Sequence, residues 1–157
     1  MRNIDRVQLA ISLELKKHGA RWLVSSAAAG ADLLGIKAAI DLGIACRIVL
    51  SSGVQEFARM SVEDRGSYWK RLFESTLSAV RPENVVVVPA QSAIAASFKA
   101  VNERILNDAI TLSVSNSSKP VCLAVWDNLN RGKDDFSAHF VERALARSLE
   151  VVNVSTL

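Results

Sequence analysis

The sequence predicts an α/β fold: a Rossmann-like three-layer sandwich in which helices cover both faces of a mostly parallel sheet. Half of the 157 residues are apolar and 22% are charged, which is enough apolar material for a substantial core. Short apolar runs alternate along the chain with longer segments of helical periodicity. Because strands separated by helices need crossover connections, the sheet should be mostly parallel. The lack of repeats and linkers predicts a single domain over residues 1–157.

The first part of the chain is predicted to form two helices around a strand. Apolar residues recur at helical spacing over 4–15, and basic residues followed by Gly19 are the usual signals for the end of a helix. A short apolar strand is predicted at 21–25. A second helix follows over 33–40 and is closed by Gly43.

The rest of the chain continues the alternation. A strand is predicted at 45–50, and the polar residues after it predict a loop from 51 to about 60. Apolar spacing over 69–80 indicates a helix, and four consecutive valines at 85–88 indicate a buried strand. The remaining predicted elements are a long helix over 94–112, a strand at 120–126, a helix over 136–149 and a last strand at 150–154.

Charge and hydropathy argue against two classes of partner, nucleic acids and membranes. The net charge is only +3 and no basic run is longer than Lys16-Lys17, so nucleic-acid binding is not favoured. No signal peptide opens the chain, and no apolar run approaches the roughly 20 residues that cross a bilayer. We therefore expect a cytoplasmic protein with no membrane partner.

Neither the cysteines nor the histidines predict a metal site. Cys46 and Cys122 lie inside apolar runs without C-x-x-C spacing, so we expect buried, reduced thiols. His18 ends a helix, His139 lies on the last helix, and the two have no paired spacing. The glycine-rich phosphate-binding motifs do not occur either. No metal, cofactor or catalytic residue is assigned from the sequence.

Ligands of open parallel sheets bind beyond the carboxyl ends of the strands, where loops lead into helices. The first such loop offers small side chains, and free N–H groups at the start of its helix favour an anion. Asp32, in the first helical turn, could hold a hydroxyl or an amine; alternatively this is a tight packing turn with Asp32 as a cap. The candidate binding residues of this loop are Ser25, Ser26, Ala27, Gly30 and Asp32.

Two further loops complete the predicted site. The segment 51–60 contains Arg59 and is either a lid over the site or a solvated connector. The third loop leaves a strand and ends where Asp134, Asp135 or Ser137 can cap a helix. All three loops should converge on one edge of the sheet, with Asp32 and Asp127 within about 15 Å of each other. The candidates of the third loop are Trp126, Asp127, Gly132 and Ser137.

These loops, in this order, resemble a group within the SLOG superfamily, whose Rossmann-like domains are similar to the DNA-processing Smf proteins and to the Lonely Guy phosphoribohydrolases. This branch is similar to modules found beside tetratricopeptide repeats or nucleotide cyclase domains in bacterial signalling proteins. The resemblance spans nearly the whole chain and implies binding of nucleotides or nucleotide-derived ligands. It is carried by 25–34 (Ser-Ser-Ala-Ala-Ala-Gly-Ala-Asp-Leu-Leu), Glu56-Phe57, Ser61-Val62 with Trp69, Arg104-Ile105-Leu106, Leu-Ala-Val-Trp-Asp at 123–127 and Phe-Val-Glu-Arg at 140–143.

Three departures from the family pattern qualify what the resemblance implies. Relatives carry Gly-Gly-Thr where this chain has Asp135-Phe136-Ser137, whose side chains and negative charge oppose a phosphate. His139 stands where the phosphoribohydrolases place a glutamate. Relatives also begin with a strand that ends in a Ser-Gly-His-like turn, whereas this chain starts at the following helix. The resemblance therefore implies a truncated or degenerate member that lacks the usual first strand.

We expect a sensor or signalling domain that binds a small nucleotide-like ligand and has no catalytic apparatus. Two alternatives of other classes stay open: an enzyme that cleaves the N-glycosidic bond of a nucleotide, and a degenerate domain that acts only as a protein-interaction module. Formation of a homodimer also stays open.

Overall fold

The computed structural model describes residues 3–126, 132 and 135–154. Helices and strands alternate there as predicted, and each of the five strands begins and ends within one residue of its predicted range. The helices are α1 (Ile4–Lys17), α2 (Ala31–Asp41), α3 (Val54–Ser61), α4 (Ser67–Ala79), α5 (Ile94–Ser115) and α6 (Phe136–Ala146). The strands are β1 (Trp22–Ser25), β2 (Ala45–Leu50), β3 (Val85–Val87), β4 (Val121–Val125) and β5 (Glu150–Val154).

The strands form two parallel sheets. One has the order β1-β2-β3, with Trp22 opposite Ala45 and Ile48 opposite Val85. The other pairs β4 with β5, with Val121 opposite Glu150. The predicted α/β class and the parallel pairing are confirmed. The described strands divide into a sheet of three and a sheet of two because β1 and β4 do not pair with each other.

Helices cover both faces of these sheets, as the three-layer prediction requires. On one face, Ile11 of α1 and Leu33 of α2 share a buried cluster with Ile48 of β2 and with Val154 of β5. On the other face, α5 crosses both sheets. Its Val101 and Ile105 cluster with Val49 of β2, and its Leu106 clusters with Cys122 of β4. On each face, the buried clusters therefore involve residues of both sheets.

The prediction of a polar loop over 51–60 is wrong for most of that segment, because Val54–Ser61 forms α3. The side chain of Phe57 is fully buried and its ring stacks on Phe73 of α4, with 6.0 Å between the ring centroids. Val62 is buried as well. Phe57 anchors the segment, and tertiary packing of this buried side chain stabilises a short helix that would not form alone.

Local signals for helix ends are confirmed. Gly19 and Gly43 follow α1 and α2 with φ of 57° and 71°, the left-handed conformation that glycine adopts without steric penalty.

Cys46 and Cys122 are buried free thiols, as predicted, and desolvation raises the pKa of each to about 11. In the described part of the chain, no helix has the length and apolar character needed to cross a membrane.

Candidate functional site

A cavity of about 640 Å³ lies between β1 and β4. Residues of α1 and α2 line one face of it, and residues of α5 line the other. It extends along the strands and reaches their carboxyl ends at Ser25 and Val125. Its volume lies in the range of roughly 300–1,000 Å³ that is typical of small-molecule sites.

Four of the predicted binding residues line this cavity, in segments that follow the carboxyl ends of strands or begin helices. Ser25 and Ser26 follow β1, Asp32 lies in the first turn of α2, and Ser137 lies in the first turn of α6. Parallel strands direct their carboxyl ends, and the helix N-termini that follow, to one edge of a sheet. This topology brings together residues more than 100 positions apart in the sequence.

The other described candidates are not among the residues that line the cavity. The side chain of Ala27 is fully buried in the core beside Ser26, and Gly30 serves as the N-cap residue of α2 with φ of 120°. Asp127 lies outside the described residues, so its predicted proximity to Asp32 stays a prediction. The described candidates that do not line the cavity are Ala27, Gly30, Arg59, Trp126 and Gly132.

The segment that carries Arg59 nevertheless lies beside the first loop. The N–H of Ala29 donates a hydrogen bond of 3.0 Å to the carbonyl oxygen of Ser61, at the end of α3. The buried Phe57 holds α3 in place, which does not fit a solvated connector. The Arg59 side chain itself is exposed.

Asp32 is the titratable group with the most perturbed environment at this edge. Desolvation raises its pKa from 3.8 to about 6, and a 3.3 Å hydrogen bond from the N–H of Ala28 to its Oδ2 opposes that rise in part. The bond braces the loop before α2, as expected for the tight packing turn of the alternative interpretation, although the N-cap residue of α2 is Gly30 and not Asp32. A carboxylate with a perturbed pKa in a cavity is a functional-site signature.

Asn102 of α5 is a cavity residue that the sequence interpretation missed. Its Nδ2 donates to the carbonyl oxygen of Phe136 at 2.9 Å and lies 3.1 Å from Nδ1 of His139. Desolvation lowers the pKa of His139, which favours a neutral ring whose Nδ1 accepts from that amide. These contacts fix the start of α6 against α5. A signal was present, since Asn102 interrupts the apolar stripe between Phe98 and Ile105.

The N-terminus of α6 is already occupied by a carboxylate of the chain. Oδ1 of Asp135 accepts a 2.9 Å hydrogen bond from the N–H of Ala138, which confirms the predicted cap. Asp32 places a second carboxylate in the first turn of α2. The N-termini of α2 and α6 therefore carry negative charge, which disfavours a phosphate at either of them. The edge favours hydroxyl and amino groups that donate hydrogen bonds.

The sequence comparisons add no family to these observations. Neither models of protein families nor curated proteins give a match to this chain. The fold class is established by the alternating helices and parallel strands, which are compatible with a Rossmann-like fold.

Proposed function

We propose that this protein is a SLOG-like sensor domain that binds a small nucleotide-related ligand at the carboxyl edge of its strands and does not turn it over. The observation that carries the proposal is the position of Asp32, a desolvated carboxylate that shares one cavity with Ser25, Ser26 and Ser137. This arrangement suits the sugar and base of a nucleotide better than its phosphate, because the nearby helix N-termini already hold carboxylates.

The polar groups at this edge complement a nucleoside. Ribose hydroxyls and base amino groups are hydrogen-bond donors, and an ionised carboxylate accepts two or more such bonds. A hydrogen bond to a charged group contributes roughly 1.5–3 kcal/mol. The hydroxyls of Ser25, Ser26 and Ser137 can both donate and accept. Asp32 should therefore contribute most of the polar binding energy.

Isothermal titration calorimetry with adenosine and with AMP tests this proposal. Asp32→Asn should raise the Kd about 10- to 100-fold, because a neutral amide replaces the charged acceptor. Asp41→Asn is the matched control, since Asp41 lies on the same helix but is exposed and pairs with Lys37 at 2.7 Å. The control should bind as the wild type does.

The pH dependence of binding separates a ligand contact from a purely structural role. Because the pKa of Asp32 is about 6, affinity should increase as pH rises from 5 to 7.5 in the wild type and should stay level in Asp32→Asn. Equal affinities of the two proteins at every pH would reject Asp32 as a ligand. If the wild type binds neither probe, the alternative of a protein-interaction module is favoured.

The rival activity, cleavage of the N-glycosidic bond of AMP, should be undetectable. Asp135 occupies the α6 N-terminus that would hold the phosphate, and the pKa of His139 is lowered, so it is a poor acid near neutral pH. Chromatography of AMP incubated with the protein should show no adenine beyond a protein-free control. Adenine release that disappears in His139→Ala would establish the enzyme instead.

A further inference from the structure

We propose that the base of the bound nucleoside lies against α5 and α6, where the Asn102 amide presents its oxygen to the ligand and selects bases that carry an amino group. This inference rests on the proposed function and deepens it, because it places the ribose near Asp32 and the base in a separate part of the cavity. This base subsite is formed by Phe98 and Asn102 of α5 and by Phe136 and Phe140 of α6, all of which line the cavity.

Three aromatic side chains provide a surface for the base. The ring of Phe98 contacts the ring of Phe136, with 4.9 Å between the centroids. Phe140 lies one helical turn further along α6. All three side chains are half-buried and line the cavity. Bases of every kind stack favourably on aromatic rings, so these rings can hold a base without selecting among bases.

The orientation of the Asn102 amide is determined by its contacts with α6. Nδ2 donates a hydrogen bond to the carbonyl oxygen of Phe136 at 2.9 Å and lies 3.1 Å from Nδ1 of His139. A carbonyl oxygen can only accept a hydrogen bond, so a reversed amide would place two acceptors against each other. Both hydrogens of Nδ2 are therefore used within the protein, and this amide has none left to donate to a ligand.

The oxygen of the same amide is the atom that a ligand can reach. Oδ1 of Asn102 accepts no hydrogen bond from the described residues, and it is not one of their polar atoms that are enclosed without a partner. A fixed acceptor pairs with a donor, whereas a second acceptor placed opposite it leaves both atoms unpaired. Adenine has an amino group where hypoxanthine has a carbonyl oxygen. The subsite should therefore favour adenosine over inosine.

The polar groups on the other side of the cavity suit the ribose. Ser25 and Ser26 follow β1, and Asp32 lies in the first turn of α2. The loop over 25–32 contains no aromatic residue on which a base could stack. Ribose hydroxyls are hydrogen-bond donors that a carboxylate and serine hydroxyls can accept. The ribose therefore belongs beside Asp32, and the base belongs beside the aromatic rings.

Isothermal titration calorimetry with adenosine and with inosine tests the inference. The wild type should bind adenosine about 10- to 100-fold more tightly, because inosine would leave Oδ1 of Asn102 unpaired. Asn102→Leu removes the amide at similar side-chain volume and should bring the two affinities close together. If Asn102 only held α6 in place, this substitution would weaken both nucleosides alike and leave the ratio of their affinities unchanged.

Asn107→Leu is the matched control. Asn107 also lies on α5, and its Oδ1 accepts a 2.9 Å hydrogen bond from Arg147 at the end of α6, but it does not line the cavity. This variant loses a contact between the two helices and should keep the wild-type ratio. If Asn102→Leu does not fold, Phe98→Leu gives a second measurement. Loss of the stacking ring should weaken both nucleosides by about tenfold and preserve the ratio.

The possible results separate this inference from the proposed function. Equal affinities of the wild type for adenosine and inosine would overturn the base subsite and leave the proposed function in place. An unchanged ratio in folded Asn102→Leu, or full affinity in Phe98→Leu, would also reject the subsite. If the wild type binds neither nucleoside, the proposed function and the subsite are both wrong.

Discussion

Replacing Phe57 with alanine should lower the free energy of unfolding by about 3–5 kcal/mol. The side chain is fully buried and stacks on Phe73, so truncation removes apolar contacts and leaves a cavity between α3 and α4. For a domain of this size, the loss corresponds to a decrease in Tm of roughly 6–20 °C. Urea denaturation followed by circular dichroism measures it.

Met60→Ala is the matched control for this experiment. Met60 lies on the same helix, but its side chain is 41% exposed. A surface substitution of this kind should change stability by less than about 0.5 kcal/mol. If Phe57→Ala and Met60→Ala had similarly small effects, α3 would not be anchored to α4 and the segment would be the polar loop that its composition indicates.

The second large effect concerns the pH dependence of stability. The pKa of Asp32 is about 6 in the folded protein, above its ordinary value of 3.8, because burial disfavours the charged form. The folded state therefore holds this proton more tightly than the unfolded state does. The stability that Asp32 contributes is fully present below about pH 4 and is lost as pH rises through 6.

Asp32→Asn should remove this dependence. At pH 7.5 the variant should be more stable than the wild type by roughly 1–3 kcal/mol, a range that allows for the partial solvent contact of the side chain. Near pH 4 the difference should be much smaller. Urea denaturation of both proteins between pH 4 and pH 8 measures the difference in their free energies of unfolding. The contributions of all other titrating groups are the same in the two proteins and cancel in this difference.

If the stability difference between wild type and Asp32→Asn did not depend on pH, the prediction would be wrong. The control Asp41→Asn should show no gain in stability that depends on pH. If the gain occurs together with the loss of adenosine affinity, Asp32 destabilises the fold in the absence of ligand and stabilises the complex. Such a trade-off between stability and activity is common at binding sites.

Local pattern in the sequence determined the elements of this protein and their class. Apolar runs such as 85–88 and the helical spacing over 4–15 depend on neighbouring residues alone, and so do the stop signals at Gly19 and Gly43. Strands separated by helices then required parallel pairing. The convergence of Ser25, Ser26, Asp32 and Ser137 could be predicted from that topology, because strand carboxyl ends share an edge.

Tertiary structure alone decided which strands are neighbours and what surrounds each site residue. The cavity between β1 and β4 cannot be predicted from the sequence, because periodicity identifies a strand but not the strands beside it. The pKa of Asp32 follows from desolvation by segments distant in sequence. The polar segment around Phe57 forms a helix because the Phe57 side chain packs against Phe73. The cavity, the raised pKa of Asp32 and the helix at Phe57 all depend on contacts between segments that are distant in the sequence. The local sequence pattern does not determine such contacts.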